Sequence, residues 1–253
     1  MFLIKKYVNY ILNNLLEKTI YRKIYNKKIE YIDFKKLLEN KRVCLVGPAE
    51  YIDKEFVNHG KVIDSYDIVV KLNSFIKTDK SLFQNYGEKM DILITSLWYD
   101  PLATFCHKET YTKENINKPL LIYYQNGRLK KLFKLFFKIN ENITICEQPK
   151  ENFKELFNML KYSPTTGMLA IFECLKCNPR ELYITGMTFG HDVKYRTYVD
   201  KYYKDFIQDE NINDAKRNTG AHNMVAEFNL TKKLMANNNI VVDNYLKTEI
   251  FHI

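Results

Sequence analysis

The stretch Val43-Cys-Leu-Val-Gly47-Pro-Ala is a short apolar run that ends in a glycine turn. Similar apolar runs recur along the chain, with helical stretches between them. This alternation predicts an α/β domain with a largely parallel central sheet flanked by helices. The predicted strands are 43–47, 67–73, 91–98, 120–124, 143–146, 181–187 and 240–245. The predicted helices are 128–139, 151–160, 165–177 and 220–236, with a long polar loop at 194–219.

The composition describes a globular chain with a surplus of positive charge. Its 253 residues are 46% hydrophobic and 14% aromatic, which is enough apolar material for a packed core and excludes a disordered or coiled-coil chain. The 39 Lys and Arg against 30 Asp and Glu give a net charge of +9. This charge points to an anionic partner such as a nucleotide, a nucleic acid or an acidic membrane surface. Cys174 and Cys177 form a lone C-x-x-C pair, so no structural metal is expected.

Residues 1–40 are predicted to form an N-terminal arm, and residues 41–253 the domain. Apolar residues recur in the arm at helical spacing while lysines and arginines fill the gaps, which predicts a basic amphipathic helix. Such a helix either lies on a membrane surface or packs on a protein core. No apolar window of about 18 residues is present, and polar residues interrupt any signal-peptide core. We therefore expect neither a transmembrane helix nor a signal peptide, and a cytoplasmic or peripheral membrane location.

Two strand ends carry candidate binding residues. Gly47 ends the first strand, at the edge of the sheet where open α/β folds bind their ligands, although an ordinary turn would explain it equally well. The second strand ends in Lys71-Leu-Asn73. Asn73 offers amide donors and a carbonyl acceptor to a ligand, and Lys71 adds positive charge beside it.

Two helix starts carry the remaining candidates. Ser163-Pro-Thr-Thr-Gly167 opens a helix that is apolar nearly all round and must be buried. Its free N–H groups suit a carboxylate or a phosphate, unless Ser163 or Thr165 only caps the helix. His222 precedes Glu227 by five positions near another helix start. Histidine is the usual general base at neutral pH and a carboxylate can orient it, although a structural histidine fits the same position.

Taken in this order, the four segments resemble the sialyltransferase family of animals, whose members carry motifs L, S, III and VS. The matching segments are 41–47 with 63–73 for motif L, 163–170 with 182–186 for motif S, Tyr202-Tyr203 for motif III, and His222 with Glu227 for motif VS. The likeness spans roughly residues 41–246. The segment 182–189 also looks like bacterial sialyltransferases that use CMP-sialic acid.

The resemblance implies a single Rossmann-like domain of the GT-A-variant type. It also implies inverting, metal-independent transfer of sialic acid from CMP-sialic acid to a glycan hydroxyl, without a cofactor and with His222 as general base. In this pattern Gly47 and Asn73 hold CMP, while Thr165, Thr166 and Gly167 receive the sugar carboxylate or the phosphate. Tyr202 steadies the departing phosphate with His191 as its competitor, and Lys71 and Glu227 support the site.

The chain departs from the family pattern in motif L and at its cysteines. Pro48 stands where the family has Asn, which makes a CMP-Kdo donor the nearest alternative. Cys44 and Cys177 each lie one residue from the family's paired positions, so we expect that bridge to be absent. No Asp-x-Asp pair is present, which suits a donor with one phosphate and no metal.

A non-catalytic nucleotide- or anion-binding protein on the same fold is the alternative from another class. A nucleic-acid partner is not expected, because the chain carries no aromatic and basic motif of a known nucleic-acid-binding module.

Overall fold

A computed structural model of the chain describes residues 30–72, 83–95, 120–122, 145–191 and 222–253. The strands are β1 (Arg42–Val46), β2 (Ile68–Leu72), β3 (Ile92–Thr95), β4 (Leu120–Ile122), β5 (Ile145–Glu147), β6 (Glu181–Thr185) and β7 (Ile240–Val242). The helices are α1 (Tyr31–Leu38), α2 (Tyr51–Glu55), α3 (His59–Asp64), α4 (Phe83–Tyr86), α5 (Lys150–Leu160), α6 (Thr166–Lys176) and α7 (Met224–Asn237). The C-terminal segment Leu246–Phe251 is a π-helix.

The strands form one sheet in the order β5-β4-β3-β2-β1-β6-β7. Every neighbouring pair of strands is parallel. The predicted α/β class with a parallel, Rossmann-like sheet is therefore confirmed, and all seven predicted strands are present. β6 ends at Thr185, two residues before its predicted end, because the chain turns at Gly186, where φ is +72°. The predicted helix 128–139 and the loop 194–219 lie outside the described residues.

β1 is apolar after Arg42 because neighbouring elements bury these residues. Val43, Cys44, Leu45 and Val46 are all fully buried, since β2 and β6 flank the strand and α6 packs over β1, β2 and β3. The buried residues of α6 run without interruption from Met168 to Cys174. The sequence of α6, which is apolar nearly all round, predicts this burial.

α1 is part of the same core. Phe34 and Leu38 are fully buried, and the Tyr31 hydroxyl donates to Oε2 of Glu173 in α6 at 2.5 Å. The packed core therefore extends N-terminal to residue 41, where the sequence placed the boundary of the arm. Residues 1–29 of that arm lie outside the described residues. Within the described ranges, no helix combines the length and the hydropathy needed to cross a bilayer.

Cysteines 44, 146, 174 and 177 are buried free thiols. Cys44 and Cys177 are therefore not bridged to each other. Burial raises the pKa of the Cys177 thiol to about 12, and it raises that of Cys44 further still. Thiols held in this state are poor nucleophiles and poor metal ligands.

Candidate functional site

The strand order reverses its direction beside β1. From β1 the chain adds β2 to β5 on one side, and it then crosses to the other side of β1 to form β6 and β7. In open parallel sheets, ligands bind at the carboxyl ends of the two strands where the direction reverses. Here those strands are β1, which is followed by Gly47, and β6, which is followed by Gly186.

The two glycines let the ends of β1 and β6 come into direct backbone contact. The Gly47 N–H donates to the Thr185 carbonyl at 2.8 Å, and the Ala49 N–H donates to the Gly186 carbonyl at 2.9 Å. A Cβ on Gly47 would lie 2.2 Å from the Gly186 oxygen. Gly186 has a φ of +72° and would bring its own Cβ within 2.4 Å of the Gly47 oxygen. We call this contact the glycine crossing, and it requires a glycine at both positions.

The start of α6 lies over the glycine crossing. A Cβ on Gly167 would lie 2.6 Å from Cε of Met187 and 4.0 Å from Cδ1 of Leu72, the last residue of β2. The same Met187 side chain lies within 2.5 Å of the Cβ position at Gly47. The fold therefore brings the ends of β1, β2 and β6 together with the N-terminus of α6.

Thr165 caps α6, and it leaves two N–H groups open. Its Oγ1 accepts from the Met168 N–H at 3.2 Å. The N–H groups of Thr166 and Gly167 have no hydrogen-bond partner among the described residues. The predicted cap at Thr165 is therefore confirmed. Anion binding at the next two N–H groups stays a prediction.

Glu227 of α7 binds the Thr165 cap from the other side. Its two carboxylate oxygens accept from the Thr165 N–H and the Thr165 hydroxyl, each at 2.6 Å. The side chain is buried, at 1% exposure. Desolvation raises the pKa of Glu227 to about 7, although the two hydrogen bonds from Thr165 act to lower it. Proton binding at Glu227 is therefore poised near neutral pH.

His222 is held by Ser163, which lies in the segment just before α6. Its Nδ1 lies 2.7 Å from the Ser163 carbonyl oxygen. A carbonyl only accepts hydrogen bonds, so Nδ1 carries the ring proton in the neutral imidazole and Nε2 keeps its lone pair. This is the tautomer that a general base needs. Asn223 follows at once and caps α7 through Oδ1, which accepts from the Ala226 N–H at 2.9 Å, so the histidine lies on a fixed helix start.

Together these contacts join the predicted motif S to the predicted motif VS. Ser163 binds His222, and Thr165 binds Glu227, through three hydrogen bonds between two segments that are about 60 residues apart in sequence. We call this set of contacts the polar clamp. It fixes the position of the imidazole relative to the open N-terminus of α6.

The other predicted site residues differ in where they lie. Lys71 is buried at 6% exposure, and its ammonium donates to the Gly87 carbonyl at 2.8 Å. The His191 ring contacts Phe228 of α7 in a tilted arrangement, with 4.1 Å between centroids. It follows a turn at Phe189 and Gly190 where both φ angles are positive. Asn73 and Tyr202 lie outside the described residues.

Three features of the site were not predicted. The Ser163 carbonyl carries no side-chain signal, and Met187 looks like an ordinary core residue. The role of Asn223 as a helix cap could have been found, because an Asn directly before an apolar periodic segment is a standard cap signal. Among the described residues, no group of three His, Cys, Asp or Glu side chains is arranged to hold a metal ion.

The fold is similar to that of a solved sialyltransferase. The crystal structure of a mammalian sialyltransferase matches this chain with a TM-score of 0.57 and 18% identity, over 90% of this chain and 78% of the mammalian one. Two Campylobacter jejuni sialyltransferases match more weakly. CstII in complex with CMP has a TM-score of 0.48 and 13% identity over 84% of each chain. Cst-I has a TM-score of 0.49 and 14% identity over 83% of this chain and 79% of its own.

Neither a protein-family model nor a curated protein matches the sequence. The likeness to the mammalian structure therefore establishes the fold, and the site geometry supplies the basis for a function.

Proposed function

We propose that this protein is a sialyltransferase-like glycosyltransferase that transfers sialic acid, or a related 2-keto sugar acid, from a CMP donor to a glycan hydroxyl. The observation that carries the proposal is the polar clamp. It places a histidine with a free Nε2 lone pair beside a helix N-terminus with two open N–H groups. A base for the acceptor and a cradle for the donor's anionic groups are the two elements that such a transfer requires.

In the proposed reaction, Nε2 of His222 takes the proton of the acceptor hydroxyl as its oxygen attacks C2 of the sugar. The new C2–O bond forms while the bond from C2 to the phosphate oxygen breaks, and that electron pair leaves with CMP. Attack from the face opposite the phosphate inverts C2 through an oxocarbenium-like state. The proton ends on the imidazole, which the Ser163 carbonyl stabilises through the hydrogen bond at Nδ1.

The anionic groups of the donor would bind at the start of α6. The N–H groups of Thr166 and Gly167 are available to the sugar carboxylate or the phosphate, and the positive end of the helix dipole adds to their attraction. Asn73 and Gly47 would hold the nucleotide, and Tyr202 would steady the departing phosphate. Because CMP carries a single phosphate, these neutral donors suffice in the proposal without a metal ion or a cofactor.

The proposed test begins with thermal unfolding in the presence of CMP, UMP, GDP and AMP. A ligand at about 100 times its dissociation constant stabilises the folded state by about 2.7 kcal/mol, and we expect this effect for CMP alone. A comparison of CMP-sialic acid with CMP-Kdo then assigns the sugar, a question that Pro48 raises. No response to any cytidine nucleotide would refute the proposal.

The role of the base is tested with His222→Ala. We expect turnover to fall by about 10²- to 10⁴-fold while the thermal shift with CMP is retained. His252→Ala is a matched control, because its Nδ1 also binds a backbone carbonyl, that of Thr248 at 2.8 Å, on the exposed C-terminal segment. Equal activity of the two variants, or loss of CMP binding in the first, would overturn the assignment.

A further inference from the structure

A buried polar network lies directly behind the glycine crossing. Its members are fully or nearly fully buried and come from four separate parts of the chain. They are Tyr51 of α2, His59 of α3, Thr185 of β6, and Asp243, which follows β7; their exposures are 0%, 6%, 0% and 3%. The donor-binding scheme above uses none of them, so their arrangement needs its own explanation.

Only one assignment of donors and acceptors is consistent with the hydrogen bonds of this network. Oδ2 of Asp243 accepts from the Tyr51 hydroxyl and from the Thr185 hydroxyl, each at 2.6 Å. Oδ1 accepts from the Leu246 N–H at 2.8 Å. Because the threonine proton is committed to the carboxylate, the contact of 3.1 Å between His59 Nε2 and Thr185 Oγ1 is donated by the imidazole. The carboxylate thus orients each member of the network.

Tyr51 connects the network to the crossing. Its hydroxyl donates to Asp243 and accepts from the Gly186 N–H at 2.6 Å. Its ring stacks on Tyr245 with 4.3 Å between centroids. Burial, together with the adjacent Asp243 charge, raises the pKa of Tyr51 well above its usual value, so the phenol stays protonated.

The peptide groups of the crossing are thereby fixed from two directions. The Thr185 and Gly186 carbonyls are bound by N–H groups of the β1 end, at Gly47 and Ala49. The Gly186 N–H points the other way and is held by Tyr51 alone among the described residues. Removing the phenol oxygen leaves this buried N–H without an acceptor, so the crossing is free to shift.

We propose that Tyr51 and Asp243 are positioning residues of the donor site, which act by holding the glycine crossing in the geometry that binds the nucleotide. The inference rests on the proposed function. Simple stabilisation is a weaker account, because a buried carboxylate that has only neutral donors is an expensive way to stabilise a core. The Asp243 carboxylate instead fixes the position of the Tyr51 hydroxyl, which in turn fixes the peptide group of Gly186.

The test compares Tyr51→Phe with Tyr31→Phe in the full chain. Tyr31 is a matched control, because its partly buried phenol also donates to a carboxylate, Glu173 at 2.5 Å, but in a different part of the core. We expect Tyr51→Phe to raise the Kd for CMP about tenfold, which is the free energy of roughly one hydrogen bond. The KM for the donor should rise by a similar factor, with kcat at saturating donor changed less than threefold. Tyr31→Phe should leave both constants within about twofold of the wild type.

The outcomes separate this inference from the proposed function. If the wild type binds CMP and Tyr51→Phe binds it with the same affinity, the positioning role alone is overturned. If the wild type does not bind CMP, the positioning role and the proposed function are both overturned. Should Tyr51→Phe fail to fold, Asp243→Asn gives the same test, because its amide oxygen still accepts from Tyr51 and the network is weakened rather than broken. A smaller rise in the Kd for Asp243→Asn than for Asp243→Ala is expected, and equal wild-type affinity in both variants would refute the inference.

Discussion

The buried carboxyl of Glu227 makes stability depend on pH in a defined direction. Its pKa is raised from 4.5 to about 7 by burial. Between these two values the folded chain holds a proton at Glu227 that the unfolded chain has released. The free energy of unfolding that Glu227 contributes is therefore fully present below about pH 4.5 and is lost as the pH rises through 7. A pKa change of this size corresponds to about 3 kcal/mol.

Glu227→Gln isolates this contribution, because the amide has a similar shape and does not ionise. Relative to this variant, the wild type should lose about 3 kcal/mol of unfolding free energy between pH 4.5 and pH 8. The measurement is urea unfolding at closely spaced pH values, with the denaturant dependence checked for equality between the two proteins.

Glu155→Gln is the control, because that carboxylate is half exposed and pairs with Lys176 at the surface. The change with pH for Glu227→Gln is read as the excess over the change for Glu155→Gln in the same range. If Glu227→Gln instead shows a constant difference, the carboxyl ionises as freely in the folded chain as in the unfolded one. Burial would then not outweigh the hydrogen bonds from Thr165, and the predicted dependence on pH would be refuted.

Three further predictions concern the crossing, the cap and the thiols. Gly47→Ala should destabilise the protein by about 1–3 kcal/mol, because the new Cβ meets the backbone of Gly186. Gly167→Ala should change stability by less than about 1 kcal/mol, because its Cβ meets only a flexible methionine side chain. A larger loss for Gly167→Ala than for Gly47→Ala in chemical denaturation would contradict this prediction. Thr165→Val should lower the free energy of unfolding by about 1–2 kcal/mol and Thr165→Ser by much less, and equal losses would show that the hydroxyl is unimportant. Cys44 should resist alkylation until the chain unfolds, and peptide mapping that finds it labelled at equal rates with and without denaturant would refute its burial.

The fold was predictable to the extent that it depends on local pattern. Residues 43–46 of β1 form a continuous apolar run because they are fully buried, and residues 168–172 of α6 are apolar for the same reason. The helices α2, α3 and α4 were missed because they span only five, six and four residues, too few to show a helical period. Predicted helix 220–236 begins at Met224 in the structure, since Asn223 is its cap.

The site residues could be predicted where a reactive or polar side chain lies in a recognisable sequence motif. The Ser-Thr-Gly helix start and the spacing of His222 and Glu227 could both be recognised in sequence. Their connection through the Ser163 carbonyl could not, because a backbone group has no sequence signature. The contact of Tyr51 with Asp243 joins residues 192 positions apart. Such a pair becomes visible only when the sheet order is known.

The position of β1 between β2 and β6 also determines when the chain can complete its fold. Arg42 of β1 pairs with Glu181 of β6, 139 residues later. A growing chain must therefore wait until β6 has left the ribosome before one edge of its most buried strand is covered. Contacts between residues so far apart in sequence form slowly, and until they form the unpaired strand edges are exposed and prone to aggregation. Fragments that end before β6 are accordingly expected to aggregate, and refolding of the whole protein is expected to be slow and to benefit from chaperones.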